Sequence, residues 1–280
     1  MNYRHSFHAG NFADVFKHVV LTELLVFLTR KPTPFCYIDT HAGASFYDLF
    51  SEFAQKNKEH KSGIEKILAL ENPTPIIKRY IHCVHQLNNK ISGTRFASLR
   101  YYPGSPMIAE CILRPQDRMV LCELQPQIYQ TLHTAFKDDE RASVHHLDGY
   151  LGLKAFLPPR ERRGLILIDP SYENADEFMR IVKLLPVALK RFPMGIYAIW
   201  YPIKDQTMVK KFHRALAALS VNGLILELVL YPNLPQLLSG CGLFILNPPW
   251  QFDRAIKGTL AKLWHALSIN RQGLYSMYNL

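Results

Sequence analysis

The stretch "RMVLCELQPQIYQTLHTAFKDDERASVHHLDGYLGLKAFLPPRERRGLILIDP", residues 118–170, alternates between two kinds of segment. The short segments RMVLCEL, ASVHHLD and RGLILIDP have the length and residue types of strands. The segments between them, PQIYQTLHTAF and GYLGLKAFL, have the apolar spacing of helices. Strands that alternate with helices are typical of a largely parallel sheet covered on both faces. This stretch therefore predicts an α/β fold.

The same alternation continues on both sides of this stretch. Upstream, apolar residues at three- and four-residue spacing predict a helix from about Asn11 to Leu28, and a buried strand follows at 35–39. Downstream, we predict strands at 195–203, 223–231 and 241–250, and helices at 175–190 and 205–219. The last two strands have only a short connection without a helix, so we expect them to form an antiparallel hairpin at the edge of the sheet.

Residues 45–99 differ in character from the rest of the chain. They combine helical periodicity with many lysines and a proline-containing break. We therefore predict one α/β domain formed by residues 1–44 and 100–280, and a small inserted helical subdomain at 45–99.

The composition narrows the possible partners and compartment. Lys and Arg outnumber Asp and Glu by 33 − 23 = 10, which favours a polyanionic partner such as nucleic acid. The five cysteines form no CxxC pair and the twelve histidines show no HExxH spacing, so we expect neither a disulfide framework nor a metal site. The N-terminus lacks the apolar core of a signal peptide, and no window is apolar enough to span a membrane. We predict a cytoplasmic protein.

Four successive predicted strands end in an acidic residue. These residues are Asp39, Glu123, Asp148 and Asp169. Each could simply cap the helix that follows it. In an open α/β sheet, however, ligands bind at the carboxyl ends of the strands, where four acids would converge on one crevice. A carboxylate at the end of the second strand can accept the hydroxyls of a ribose.

The loop after the first strand argues against two common nucleotide sites. "DTHAGAS", residues 39–45, has one glycine where a dinucleotide fingerprint needs three, and the chain contains no P-loop motif. A cofactor without a pyrophosphate, such as S-adenosylmethionine, fits this loop better. Its cationic sulfonium would also suit a crevice lined with acids.

Two tetrads of the form Asp/Asn-Pro-X-aromatic follow strands, DPSY at 169–172 and NPPW at 247–250. Such a tetrad can hold an exocyclic base amine for methylation, because the side chain of Asp169 and the carbonyl of Pro170 would accept its two N–H groups. Tyr172 would stack on the base. NPPW follows an antiparallel strand, so we expect it to lie at the opposite end of the sheet and to begin the final helix.

The chain resembles the RlmJ family of adenine-N6 methyltransferases of bacterial 23S ribosomal RNA. The resemblance extends over nearly the whole chain and is most specific in "YRHSFHAGNFADVFKH", residues 3–18. "YIDTHAG", "RYYPGSP", "RRGLILIDP" and "NPPW" match in the same order. The chain departs from the family at Ser171, where a second proline is usual, and at Ser45, where glycine is expected.

The resemblance implies a Rossmann-like domain with a helical insertion that uses S-adenosylmethionine, and it makes Asp169 catalytic. Together with the strand-end reasoning, it gives as cofactor contacts Lys17, His18, Asp39, His41, Gly43, Ser105, Glu123, Asp148, Gly149 and Asp169. Tyr3, His5, Lys17 and Tyr172 are the expected contacts to RNA. The expected partner is 23S ribosomal RNA, free or in a pre-ribosomal particle, and the protein is expected to be a monomer. Two alternatives stay open: a DNA adenine-N6 or cytosine-N4 methyltransferase, and a catalytically impaired RNA-binding relative.

Overall fold

A computed structural model describes residues 4–95, 98–174, 176–231 and 238–280. Its centre is an eight-stranded sheet in the order β10-β8-β9-β7-β6-β1-β4-β5. The strands are β1 (Cys36–Asp39), β4 (Arg118–Glu123), β5 (Ala142–His146), β6 (Gly164–Ile168), β7 (Ile196–Ile203), β8 (Gly223–Val229), β9 (Gly240–Leu246) and β10 (Leu274–Asn279). Five adjacent strands of the sheet, β5, β4, β1, β6 and β7, run parallel, as the sequence predicts.

Helices cover both faces of the sheet, which confirms the predicted α/β class. One face carries α1 (Phe12–Thr29), α4 (Pro75–Ser92), α5 (Ser105–Ile112), α6 (Pro126–Phe136) and α10 (Phe252–Leu267). The other carries α7 (Gly149–Ala155), α8 (Glu177–Arg191) and α9 (Gln206–Ala217). Side chains of a strand alternate between the faces. In β6, accordingly, Leu165 and Leu167 join the first core while Ile166 and Ile168 join the second.

The far edge of the sheet differs from the prediction. β8 and β9 do pair antiparallel, but β9 lies inside the sheet, between β7 and β8. All seven of its residues are buried, because it has a strand on each side and a core on each face. The edge strand is β10, which the sequence reading missed. Its residues are largely exposed, so it lacks the apolar run that marks the inner strands.

The predicted insertion contains α2 (Glu52–Asn57) and α3 (Ile64–Leu68) before α4. Its two ends meet in a small ladder between β2 (Phe46–Asp48) and β3 (Tyr101–Pro103). At this junction the Gly104 N–H donates to the carbonyl of Ser45 at 2.8 Å, and a side chain at Gly104 would collide with the carbonyl of Ala44. The ladder places the insertion beside the carboxyl end of β1.

The connection order reverses between β1 and its neighbours β4 and β6. Asp39 pairs with Leu121 on one side and with Leu167 on the other. Such a switch point opens a crevice above the strand ends, where α/β proteins bind their ligands. Within the described ranges, no helix is long and apolar enough to cross a membrane.

Candidate active site

A cavity of about 1160 Å³ opens above the carboxyl ends of the parallel strands. This is more room than one small-molecule ligand usually needs. Its walls come from the strand-end loops, from α1, from residues 4–8 and from the first part of the insertion. The predicted residues that line it are His5, Lys17, His18, His41, Gly43, Ser105, Glu123, Asp148, Gly149, Asp169 and Pro170.

A chain of charged groups crosses this cavity from the N-terminal segment to the tetrad. Asp169 Oδ2 accepts from Lys17 Nζ at 2.6 Å, and the same ammonium lies 3.1 Å from Asp14 Oδ1. The other oxygen of Asp14 pairs with His5 Nε2 at 2.8 Å and accepts from the Gly10 N–H. Asp14 was not singled out in the sequence, where its spacing from Lys17 looks like an ordinary pair within a helix.

Burial and neighbouring charges shift the pKa values of Lys17 and Asp14 in opposite directions. Burial alone would lower the pKa of Lys17, but the carboxylates of Asp169 and Asp14 hold that pKa well above its ordinary value. Burial alone would raise the pKa of Asp14, but the charges of His5 and Lys17 hold it well below its ordinary value. Lys17 therefore stays protonated and acts as a fixed cation next to Asp169.

The tetrad presents only part of its predicted machinery to the cavity. Asp169, Pro170 and Ser171 are on the cavity wall, but the ring of Tyr172 is not. It is 9% exposed, its backbone has φ 51°, and its hydroxyl donates to the carbonyl of Trp200 at 2.6 Å. The ring packs against Phe178 in the second core. Apolar packing and a hydrogen bond therefore hold the Tyr172 ring below the site in this structure, and its stacking on the substrate stays a prediction.

The aromatic ring that does line the cavity near Asp169 is Trp200, from β7. The ammonium of Lys17 lies 6.0 Å from the centre of its ring, while contacting Asp169. Sequence reasoning missed Trp200. The available signal was an aromatic residue near the carboxyl end of the strand next to the tetrad strand.

Asp39 occupies a place beneath the cavity and not on its wall. It is fully buried, and its Oδ2 accepts from the hydroxyls of Tyr37 and Ser105, each at 2.7 Å. Its Oδ1 accepts from the His41 N–H at 3.2 Å. Burial raises the pKa of Asp39 to about 6, although these donors oppose the shift. In this structure Asp39 thus orders the loop and the helix start that line the cavity, and its direct contact to a cofactor stays a prediction.

Glu123 joins two loops at the end of β4. Its Oε2 accepts from the Gly43 N–H at 3.0 Å, and its Oε1 from the Gln125 N–H at 2.7 Å. Gly43 has φ 62°, a conformation that favours glycine. Burial raises the pKa of Glu123. Each carboxylate oxygen can accept a second hydrogen bond, for example from a hydroxyl group.

Asp148 caps α7 and also contacts α8. It accepts from the Tyr150 N–H at 2.8 Å and from Arg180 at 2.9 Å. Burial alone would raise the pKa of Asp148, but these donors lower it. Gly149 lies so close to the carbonyl of Thr40 that a Cβ would fall 1.8 Å from it. Asp148 therefore caps α7 and also borders the cavity, and its contact to a cofactor stays a prediction.

The two histidines predicted to contact the cofactor, His18 and His41, are neutral near pH 7. Burial lowers the pKa of His18 to about 3 and that of His41 to about 4. His18 Nδ1 pairs with the hydroxyl of Tyr102 at 2.9 Å, and His18 Nε2 is buried without a hydrogen-bond partner among the described residues. Because His18 borders the cavity, this orphaned atom fits a polar ligand there. Carboxylates and backbone groups also suit the hydroxyls, amines and positive charge of S-adenosylmethionine.

The N-terminal segment is held over the cavity mouth by the insertion. The ring centres of His5 and Tyr47 lie 4.9 Å apart with the rings tilted by 51°, and His8 pairs with Glu59 at 3.0 Å. Phe7 meets the ring of Phe53 edge-on. The predicted RNA contact Tyr3 lies outside the described residues. Among those residues, no group of three or more His, Cys, Asp or Glu side chains could hold a metal ion.

The second tetrad lies at the other end of the sheet, as predicted. The Asn247 side chain donates to the carbonyls of Pro193 and Gly195, both at 2.8 Å, just before β7 begins. Asn247 has φ 51°, and α10 starts five residues later at Phe252. Trp250 is 85% exposed. The NPPW tetrad therefore ends one strand and leads into the last helix.

Comparison with known proteins identifies the family. Residues 32–278 match the family model described as "Ribosomal RNA large subunit methyltransferase D, RlmJ". The chain belongs to this family. It is 41% identical over 262 residues to ribosomal RNA large subunit methyltransferase J of Escherichia coli K12, an alignment that covers 93% of this chain and 91% of the relative. It is 40% identical over 269 residues to the Haemophilus influenzae protein of the same name, covering 95% and 94%.

The fold is also present in a solved structure. Protein LPL1258 from Legionella pneumophila superimposes with a TM-score of 0.87 at 39% identity and covers 98% of both chains. The RlmJ family assignment thus rests on nearly the whole chain, including the insertion, and not on the tetrad alone.

Proposed function

We propose that this RlmJ family member transfers a methyl group from S-adenosylmethionine to N6 of a specific adenine in 23S ribosomal RNA. The observation that carries the proposal is the pairing of Asp169 with Lys17 on the wall of the cavity. Lys17 binds Oδ2, and no partner within the described ranges reaches Oδ1. This oxygen and the carbonyl of Pro170 supply the two acceptors that an exocyclic amine needs.

The protein's contribution to the reaction is positioning. Asp169 and Pro170 accept the two N–H groups of the flipped adenine and so direct the nitrogen lone pair toward the methyl donor. Lys17, which is protonated, fixes the Asp169 carboxylate and does not act as a base. S-adenosylmethionine, when bound, would supply the methyl group as an electrophilic carbon with cleavage of its C–S bond, and the proton that N6 loses would pass to solvent. Trp200 provides the aromatic surface against which the base rests.

The remaining cavity residues hold the cofactor in this proposal. Glu123 accepts the ribose hydroxyls. Asp148 and the Gly149 N–H contact the adenine ring of the cofactor. The other contacts come from Lys17, His18, His41, Gly43, Ser105 and Asp169. Asp39 acts through Ser105 and the His41 loop, and Tyr172 through Trp200.

The RNA strand enters across the N-terminal segment. His5 and Lys17 lie on this path, and Tyr3 stays a predicted contact to the RNA. The net charge of +10 suits a polyanionic substrate, either free 23S ribosomal RNA or a pre-ribosomal particle. We further propose that residues 45–99 act as a subdomain inserted into a Rossmann-like methyltransferase domain, and that the protein works as a cytoplasmic monomer.

Methyl transfer to unmodified 23S ribosomal RNA tests the proposal. The chain is incubated with labelled S-adenosylmethionine and the RNA, and the nucleosides are then separated. We expect the label in N6-methyladenosine, with little competition from single-stranded or duplex DNA. No transfer by protein that binds the cofactor would refute the proposal, and preferred transfer to DNA would favour the DNA alternative.

Turnover by the unaltered chain and by the Ser171→Pro variant distinguishes an active enzyme from a catalytically impaired relative. The side chain supplies neither acceptor, so we expect ordinary turnover from the unaltered chain. If turnover is absent and Ser171→Pro creates it, the chain is an RNA-binding relative that has lost its activity.

A further inference from the structure

Three phenylalanines of the insertion are exposed close to the cavity mouth. Phe50 is 65% exposed, Phe53 39% and Phe46 36%. Phe46 and Phe53 also line the cavity, so the surface that they form continues into the site. We call Phe46, Phe50 and Phe53 the aromatic rim. Large apolar side chains grouped in this way usually mark a binding surface.

Cations lie against the rings around the aromatic rim. Phe53 has the guanidinium of Arg4 at 5.0 Å from its centre. Phe46 meets Tyr101 edge-on at 5.4 Å, and Arg100 lies 5.3 Å from the centre of Tyr101. This combination of aromatic faces with positive charge matches single-stranded nucleic acid, whose bases stack and whose phosphates are anionic.

The helix α2, which carries Phe53, and the turn after it extend the positive surface. Lys56 of α2, and Lys58 and Lys61 of the turn, are exposed, and none forms an ion pair with an acidic residue in the part of the chain that the structure describes. An apolar peptide surface would contact only the rings, and an acidic peptide surface would contact only the lysines. An RNA strand uses both together, because each nucleotide brings a base and a phosphate.

We propose that the aromatic rim stacks the unpaired bases next to the target adenine, while Arg4, Lys56, Lys58 and Lys61 bind their phosphates. This inference rests on the proposed function for the identity of the base in the cavity. A flipped base leaves neighbours that have lost a stacking partner. The rings of the aromatic rim replace the lost stacking partner. The rim therefore binds the RNA and also stabilises the conformation in which the target adenine is flipped out.

Substitutions at Phe50 test the proposal, because this side chain is exposed and lies outside the proposed catalytic and cofactor contacts. The dissociation constant for unmodified 23S ribosomal RNA is measured with the full chain saturated with S-adenosylhomocysteine, and transfer kinetics are measured in parallel. We expect Phe50→Ala to weaken RNA binding about tenfold and to raise KM similarly, with kcat within about twofold. Phe50→Trp keeps the affinity, and Phe50→Leu, which is apolar but cannot stack, behaves like Phe50→Ala.

Trp250→Ala is the matched control, since it removes an exposed aromatic ring at the opposite end of the sheet; it leaves the affinity unchanged. Wild-type affinity in both Phe50→Ala and the Phe46→Ala/Phe50→Ala double variant overturns the proposal. Wild-type affinity in Phe50→Leu alone also overturns it, because the contact is then apolar and not stacked. So does a wild-type chain that does not bind RNA. If binding shows the expected pattern but no methyl group is transferred, the rim stands and the proposed function fails.

Discussion

The two tetrads have similar letters but different surroundings. Asp169-Pro170 follows a parallel strand at the switch point, and its carboxylate contacts Lys17 of α1 within a large cavity. Asn247-Pro248 follows an antiparallel strand, and its amide binds two backbone carbonyls at the far end of the sheet. The NPPW motif, which has the second proline that DPSY lacks, therefore ends a strand and leads into the last helix. What separates the two is strand direction, which decides at which end of the sheet the motif lies.

The largest effect is expected from Asp169→Ala. This change removes one of the two acceptors for the amine, so we expect transfer to fall on the order of a thousandfold. Lys17 keeps its contact with Asp14, which should preserve the fold. Single-turnover transfer measures the rate, and thermal melting checks the fold. A variant that melts like the wild type and retains most of its activity would contradict the assignment.

Lys17→Met removes the ammonium that contacts Asp169 of the first tetrad. It therefore tests a contact that distinguishes this tetrad from the second one. We expect transfer to fall roughly a hundredfold, because Asp169 is no longer held in place. Stability should also fall, by about 3 kcal/mol, since Asp14 is left buried without its cation. Lys17→Arg is the control: it keeps the charge but not the shape of the ammonium, so most of the activity should stay lost. Wild-type rates in Lys17→Met would remove Lys17 from the mechanism.

Trp200→Ala tests whether Trp200, and not Tyr172, meets the base. Loss of the ring should raise KM for RNA about tenfold, whereas Trp200→Phe should recover most of the difference. Tyr172→Phe is the matched comparison. It removes only the hydroxyl that bonds the Trp200 carbonyl, so it should have the smaller effect on KM. The reverse order, measured by transfer kinetics, would show that the Tyr172 hydroxyl contributes more to RNA binding than the Trp200 ring does.

At the second tetrad, Asn247→Ala should change stability but not transfer. The substitution leaves two carbonyls without their donor and places alanine at φ 51°, so we expect a loss of about 1–3 kcal/mol in the free energy of unfolding. Denaturant unfolding measures this loss, and transfer should stay within about twofold. A large loss of transfer with little loss of stability would reverse the roles of the two tetrads.

The smallest expected effect is that of pH on the protonation of Lys17. Its pKa is raised, so its contribution to stability is present below its unfolded value of about 10.4 and is lost only above the folded value. The pKa of Asp14 is lowered, so its contribution is present above about 3.9 and is lost only as the pH falls through the folded value. We therefore expect the ε-carbon NMR signal of Lys17 to stay at its protonated position from about pH 6 to 9. A midpoint inside this range would make Lys17 a candidate base.

The sequence predicted the elements whose signals are local. Strand-end acids, the parallel core strands and the position of the second tetrad all follow from short patterns read along the chain. The edge strand was missed because Leu274–Asn279 is largely exposed and has no continuous apolar run. The interior place of β9 was missed because hairpin pairing does not show what lies on the strand's other side.

The site was harder to predict wherever it depends on contacts distant in sequence. Lys17 and Asp169 are 152 residues apart, and nothing local pairs them; the family resemblance, not the spacing, indicated Lys17. Asp39 looked like a ligand contact because it ends a strand, but full burial and two hydroxyl donors turn it toward the protein interior. Tyr172 is an aromatic residue at the fourth position, as the motif requires, yet its ring lies in the core, where its backbone has a positive φ.

The central claim is that adenine is held by Asp169 and Pro170. The most direct test is a crystal structure of the chain with S-adenosylhomocysteine and adenosine. The account predicts the adenine amino group in the cavity, within about 3 Å of Asp169 Oδ1 and of the Pro170 carbonyl oxygen, with Lys17 still bound to Oδ2. An adenine that binds elsewhere, or whose amino group contacts neither acceptor, would contradict it.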